Sequence, residues 1–309
     1  MNKIDQIQIH FDTDSMWLVN ITLAIIMFGV ALDITIDDFK KLINQPKLFF
    51  VGVFSQFVLV PLTTLILVYF IKPQPSIALG MFMIAACPGG NVSNFMTKVA
   101  KGNVTLSVSL TAFATVMSLF MTPINLAVWA SLYKPTAKIL RSVNVDPLQV
   151  LQIVVLILGF PLVLGMMLRH YNPKIAGTLA KYLKPISFLI FFAFISVAFY
   201  NNLDVFVAHI HHVFYLVVLM NTILYIVGYY TAKYSGLPYN DQKTLSIETG
   251  IQNSGLGLML VFLFFKEFGG MALIVAFWGI WDILSGLVLA YSWNLLDRRS
   301  VVIKSENIG

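Results

Sequence analysis

The chain of 309 residues is 58% hydrophobic and 11% charged, against roughly 25% charged in an ordinary soluble domain, and its apolar residues recur in runs of about 20, the length of a membrane-crossing helix. That excludes long soluble domains, and the net charge of +6 is no sign of nucleic-acid binding, because Lys and Arg stand singly or in pairs between apolar runs and read as topology determinants. A single cysteine, Cys87, excludes an intrachain disulfide and a cysteine-based metal cluster.

Residues 1–15 (MNKIDQIQIHFDTDS) form a polar N-terminal tail without the basic and then apolar regions of a cleaved signal. The membrane unit is expected over 16–293, with spans at 16–32, 48–71, 77–97, 104–133, 148–168, 185–201, 209–231, 243–265 and 271–293, and a cytoplasmic tail at 294–309. This is an all-α polytopic membrane protein with nine transmembrane helices. With the N-terminus outside and the C-terminus inside, fourteen of the Lys and Arg residues fall inside and six (Lys3, Lys72, Lys134, Lys138, Arg141 and Lys266) outside, the sense of the positive-inside rule. Lys134, Lys138 and Arg141, all on one outer loop, run against it.

Two spans are predicted to be discontinuous. In the third, Pro88 lacks a backbone donor and Gly89 and Gly90 disfavour helix, just before Asn91, Ser93 and Asn94. In the eighth, GIQNSGLG should unwind around Gly250–Gly255. Unwound backbone at membrane depth survives only where it is buried or lines a cavity, and paired interruptions in two halves point to a transporter site. The third span is the last but one of the first four and the eighth the last but one of the final five, and they run in opposite directions. That is an inverted repeat (about 16–133 and 148–293) whose first half lacks its opening helix.

Glu248 is a carboxylate inside a span, which costs about +2.5 to +3.5 kcal/mol on insertion scales. A protonated Glu satisfied by neighbouring backbone is the plain reading. The functional one is a cation ligand: Gln252 follows one turn later, and the intervening residues have carbonyls freed by unwinding. One carboxylate among neutral oxygens suits a monovalent hard cation better than Ca²⁺. Ser93, Asn94, Gln56 and the pair Ser107 and Thr111, four apart on one helical face, are oxygen donors of the same kind, although Ser and Thr hydroxyls also bond back to their own helices. Asn91 and Asn253 each lie where a second half-helix would begin, and helix N-termini attract anions. Asp282, in FWGIWDILSG, is the other acid within a span.

CPGGNVSN (87–94), KGNVTLSVSLT (101–111) and ETGIQNSGL (248–256) together resemble the bile acid:sodium symporter family, and FGVALDITIDDF (28–39) and SQFVLVPLT (55–63) extend the likeness over nearly the whole chain after residue 16. The resemblance implies interleaved core and panel subdomains, with the two discontinuous helices crossing near two Na⁺ sites. Carried over by position, one site uses Ser93, Asn94, Ser107, Thr111 and Glu248. The other uses Gln56, Glu248, Thr249, Ile251 and Gln252, with Thr249 and Ile251 contributing backbone carbonyls. It also implies an organic anion such as a bile acid or a smaller carboxylate as substrate, docked near Asn91 and Asn253. An ionised Asp282 lining that cavity would oppose an anion, so it is expected to be protonated, paired or turned away, with a substrate-side role as the remaining reading.

The expectation is therefore a Na⁺-coupled importer of an organic anion, monomeric, in a bacterial cytoplasmic membrane. A proton-coupled or uncoupled carrier of the wider bile/arsenite/riboflavin group is the alternative, with Glu248 as a proton relay. An intramembrane hydrolase is remote, because a nucleophile needs a base and none of the histidines at 10, 170, 209, 211 and 212 lies at mid-span. The HIHH run (His209, His211, His212) reads as a polar membrane mouth rather than a metal site. The N-x-S/T matches at Asn91 and Asn103 lie within or beside spans and are not glycosylation sites.

Overall fold

The computed structural model describes residues 16–142, 152, 155–200, 203–265 and 267–306. In chain order these form α1 (Met16–Ala31), α2 (Ile36–Ile43), α3 (Pro46–Phe54), a π-helical turn (Ser55–Leu59), α4 (Val60–Ile71), α5 (Pro75–Ala86), α6 (Val92–Val99), α7 (Val104–Ser131) and α8 (Lys134–Ser142). A second π turn (Val155–Gly159) leads into α9 (Phe160–Tyr171), followed by α10 (Pro173–Tyr200), α11 (Leu203–Tyr234), α12 (Tyr239–Gly250), α13 (Ser254–Phe264) and α14 (Gly269–Glu306). Among the described residues there is no strand; one antiparallel bridge joins Gly89 to Gln252. The expected tail 1–15 and the start of the expected fifth span lie outside the described residues.

Among the described residues, four helical stretches are long and apolar enough to cross a membrane: Pro46–Ile71, Val104–Ser131, Val213–Tyr234 and Gly269–Asp297. Their outward faces carry large apolar side chains such as Phe50, Phe70 and Val288, exposed by 66%, 84% and 69%. So many large apolar side chains on the surface are costly in water, whereas lipid tails solvate them. Inside, α5, α6, α7, α12, α13 and α14 pack on one another, and α1 packs on α9 and α10.

The stretch α3–π turn–α4 shows how local sequence shapes the site. Pro61 has no N–H, and in a regular helix its ring would crowd the carbonyl four residues back. The π turn widens the helix just before it, and the released Phe57 carbonyl accepts a hydrogen bond from Asn125 Nδ2 of α7 at 3.2 Å. Pro161 follows the second π turn at the same spacing.

Apolar length alone does not foresee two short helices. Thr35 and Asp38 form a reciprocal capping box that starts α2. Lys134, Lys138 and Arg141, the cations that ran against the charge count, lie exposed on α8. These cations therefore belong to a short amphipathic helix rather than to a loop. Element bounds also differ: α10 begins at Pro173, well before the expected 185, and α14 continues as helix to Glu306, past the expected 293.

Candidate functional site

Both breaks fall where the sequence places them. α5 ends at Cys87, which is extended (φ −73°, ψ 153°), and α12 ends at Ile251, also extended (φ −94°, ψ 115°). The two unwound segments pair: Gly90 N–H donates to the Ile251 carbonyl at 3.2 Å, and Asn253 N–H donates to the Pro88 carbonyl at 2.8 Å. Backbone groups that unwinding would orphan in lipid thus satisfy each other. Two glycines at the breaks are closely packed. A Cβ on Gly89 would lie 3.1 Å from Glu248 Oε2, and one on Gly250 would lie 2.2 Å from the Tyr225 ring.

Glu248 sits at the centre, 5% exposed. Its Oε1 accepts from Ser93 Oγ at 2.5 Å and from Ser107 Oγ, and its Oε2 accepts from Thr111 Oγ1 at 3.0 Å. Asn94 Oδ1 lies 2.8 Å from the Ser107 hydroxyl and 3.3 Å from that of Thr111. The five residues Ser93, Asn94, Ser107, Thr111 and Glu248, drawn from α6, α7 and α12, therefore converge on one point. The cluster is short of donors. Each hydroxyl has one hydrogen, yet Ser107 and Thr111 each face two acceptors, the Asn94 amide oxygen and the Glu248 carboxylate. The surplus is hard oxygen with one formal negative charge, the donor set of a hard cation.

A second group lies close by, and Glu248 lines a cavity together with two of its members, Gln56 and Thr249. Gln56 Nε2 donates to Gln252 Oε1 at 2.8 Å and to the Cys87 carbonyl at 3.0 Å, and Gln252 Nε2 donates to the Thr249 carbonyl at 2.8 Å. The Ile251 carbonyl faces the crossing and accepts Gly90 N–H, with a second lone pair remaining. A cavity lined by Gly52, Gln56, Gly89, Glu248 and Thr249 opens beside both groups. Two participants have no distinct sequence signal. The Ser55 hydroxyl lies 2.8 Å from that of Thr249, and the Cys87 carbonyl is a backbone group that only the unwinding frees.

Asn91 and Asn253 stand at the starts of α6 and α13. Asn91 is exposed and its side chain caps nothing, whereas Asn253 Oδ1 accepts Leu256 N–H at 3.0 Å and caps α13. Asp282 is buried on α14 at 3% exposure. Gly279 and Gly286, about one turn to either side, pack against the Ser254 side chain and against Ile251, Met96 and Tyr225, so the Asp282 face of α14 lies against the crossing. No hydrogen bond among the described residues joins Asp282 to Asn91 or Asn253. His211 is exposed on α11, while the side chains of His209 and His212 lie outside the described residues.

The chain is also similar to known proteins. The model of the Sodium Bile acid symporter family matches residues 20–209. An "Uncharacterized sodium-dependent transporter YocS" of Bacillus subtilis is 31% identical over 291 residues, 94% of this chain and 87% of that protein. The "Probable sodium/metabolite cotransporter BASS1, chloroplastic" of Arabidopsis thaliana is 29% identical over 244 residues, 79% of this chain but only 58% of the relative's length. The "Ileal sodium/bile acid cotransporter" of Mus musculus is 28% identical over 255 residues, 81% and 70% of the two chains. These relatives are named as transporters, and none of the three as an enzyme. The chain belongs to the Sodium Bile acid symporter family.

Proposed function

We propose that this protein is a secondary-active symporter that couples two Na⁺ ions to the import of an organic anion by alternating access. The observation that carries the reading is the donor deficit around Glu248: a buried carboxylate and an amide oxygen compete for the same two hydroxyl hydrogens. A monovalent cation satisfies all of them at once. A proton on Glu248 would quench the carboxylate but add only one donor, so the geometry favours Na⁺ over the proton-relay alternative. One ion takes Ser93, Asn94, Ser107, Thr111 and Glu248. The other takes Gln56, Glu248, Gln252 and the carbonyls of Thr249 and Ile251.

Na⁺ binding neutralises Glu248 and ties the crossing together, which prepares the mouths of α6 and α13 for the anion at Asn91 and Asn253. Asp282 stands on the substrate side of the crossing and shapes which anion is accepted. The moving parts are a core built from the crossing helices and a panel that includes α1, α9 and α10, a division supported by the way these helices pack. Nine crossings, an inverted repeat without the first helix of its first half, N-out and C-in orientation in the cell membrane, and a monomer complete the reading. Coupling requires that Na⁺ and anion stabilise the same state, and it is then reciprocal.

The test is a thermal-shift screen of the purified protein with small carboxylates, sterol anions and sulfated metabolites, each in Na⁺ and in K⁺. Anions that stabilise only in Na⁺ are then assayed for uptake into proteoliposomes. Uptake of such an anion that is equal in Na⁺ and K⁺ gradients would sink the coupling claim, and uptake driven by a pH gradient without Na⁺ would select the proton-coupled carrier.

A further inference from the structure

The ion cluster is tied at two ends, and only the crossing is part of the site already described. The other tie is a node around Lys243, a lysine with no exposed side-chain surface. Its Nζ donates to the Ala100 carbonyl at 2.8 Å, pairs with Asp297 Oδ2 at 2.9 Å and lies 4.8 Å from the centre of the Tyr239 ring. Ala100 caps the C-terminus of α6, where the helix dipole favours a cation. Next to it, Asn294 Nδ2 donates to the Val99 carbonyl at 2.9 Å. The start of α7 joins the same node: Asn103 N–H donates to Thr244 Oγ1 at 2.7 Å, and Asn103 Nδ2 donates to Asp241 Oδ1 at 2.8 Å.

Every helix that supplies a side chain to the first ion group therefore starts or ends at this node. Ser107 lies one turn into α7 from Asn103, Glu248 lies one turn along α12 from Thr244, and Ser93 and Asn94 lie about two turns back along α6 from Ala100. α6 has eight residues, too few to hold its own direction in isolation. A full positive charge buried at its end is tolerated because Asp297, from the far part of α14, balances it. α14 gives no ligand to either ion group.

We propose that Lys243, held in place by Asp297, is a positioning residue for Na⁺: by fixing α6 against α12 it sets the spacing of Ser93 and Asn94 from Glu248, and so the affinity for the ion. This rests on the Na⁺ reading above. It is tested on the full-length purified protein with Na⁺ alone as probe, titrated against K⁺ at constant ionic strength, reading the Na⁺ concentration at the midpoint of the rise in Tm. Asp297→Asn and Lys243→Met should raise that midpoint at least about fivefold, the lower end of energetic coupling between linked sites. Lys243→Arg, which keeps the cation, should stay with the wild type. Thr136→Val, which removes the buried hydrogen bonds to the Ala130 and Tyr133 carbonyls at the α7–α8 junction, should lower the Na⁺-free Tm and leave the midpoint in place.

If Lys243→Met does not fold, Asp297→Asn decides, because it keeps the lysine and removes only the charge that holds it in place. An unmoved midpoint in Asp297→Asn overturns the proposal. So does an equal shift in Thr136→Val, which would make the effect one of general stability. A wild-type protein that Na⁺ stabilises no better than K⁺ overturns the Na⁺ reading itself, and this inference with it.

Discussion

At the scale of single residues, the site turns on one carboxylate in a place that lipid would otherwise forbid. Replacing Glu248 by Gln removes the charge but keeps the volume, so the folded protein should survive with a Na⁺-free Tm at or above the wild-type value, since an uncompensated buried charge is costly. The Na⁺-specific rise in Tm should vanish, and a normal Na⁺ titration in that variant would remove Glu248 from both ion groups. Ser107→Ala is the finer probe. A hydrogen bond or ligand contact to a charged group is worth about 1.5–3 kcal/mol, so the Na⁺ midpoint should rise about 10- to 100-fold. Ser55→Ala, one shell further out beside Thr249, should move it less. Glu248 and Gln252 were legible in the sequence because a charge or an amide in an apolar run is rare. Ser55 was not, because a hydroxyl in a span more often bonds to its own helix, as Thr64 does to Val60 and Thr115 to Thr111 here.

At the scale of elements, the breaks were readable and the bends were not. Pro88-Gly89-Gly90 and Gly250 with its neighbours oppose helix by known backbone physics, and the structure opens both helices there. What the sequence could not show is that the two openings pair backbone to backbone, because that depends on approach between segments more than 150 residues apart. The π turns escaped for a different reason: Pro61 and Pro161 sit in apolar runs, and widening before a proline leaves the hydrophobic length unchanged. The short helices α2 and α8 escaped because a search for apolar runs ignores amphipathic ones. Gly250 is the position at which the crossing can be attacked without touching a ligand side chain. Its missing Cβ would meet the Tyr225 ring at 2.2 Å, so Gly250→Ala should destabilise by about 1–3 kcal/mol through overpacking. Adding Tyr225→Leu to the same chain should restore part of the loss, as measured by Tm without Na⁺; no recovery would place the strain in the backbone rather than in the ring contact.

At the scale of the whole molecule, orientation decides which ends of the crossing helices face outward, and the proposed one rests on where the cations lie. The apparent conflict came from counting Lys134, Lys138 and Arg141 as an outer loop. On α8 they are exposed along an amphipathic helix, and surface helices draw cations to lipid headgroups on either face of a membrane. Without them the remaining Lys and Arg divide fourteen inside to three outside in the proposed N-out, C-in orientation. The molecule carries its own background control, because Cys87 is its single cysteine and is fully buried at the crossing. Cysteine placed at Lys138 should therefore react with a membrane-impermeant maleimide in intact cells. Cysteine placed at Lys40 on α2 or at Lys181 on α10, both on the opposite side in this orientation and the latter exposed, should react only after the membrane is opened. The reverse pattern would overturn the proposed orientation, although the Na⁺ gradient, which sets the direction of symport, would still drive the anion inward. A mixed pattern would mean that a crossing between α8 and α10 has been miscounted.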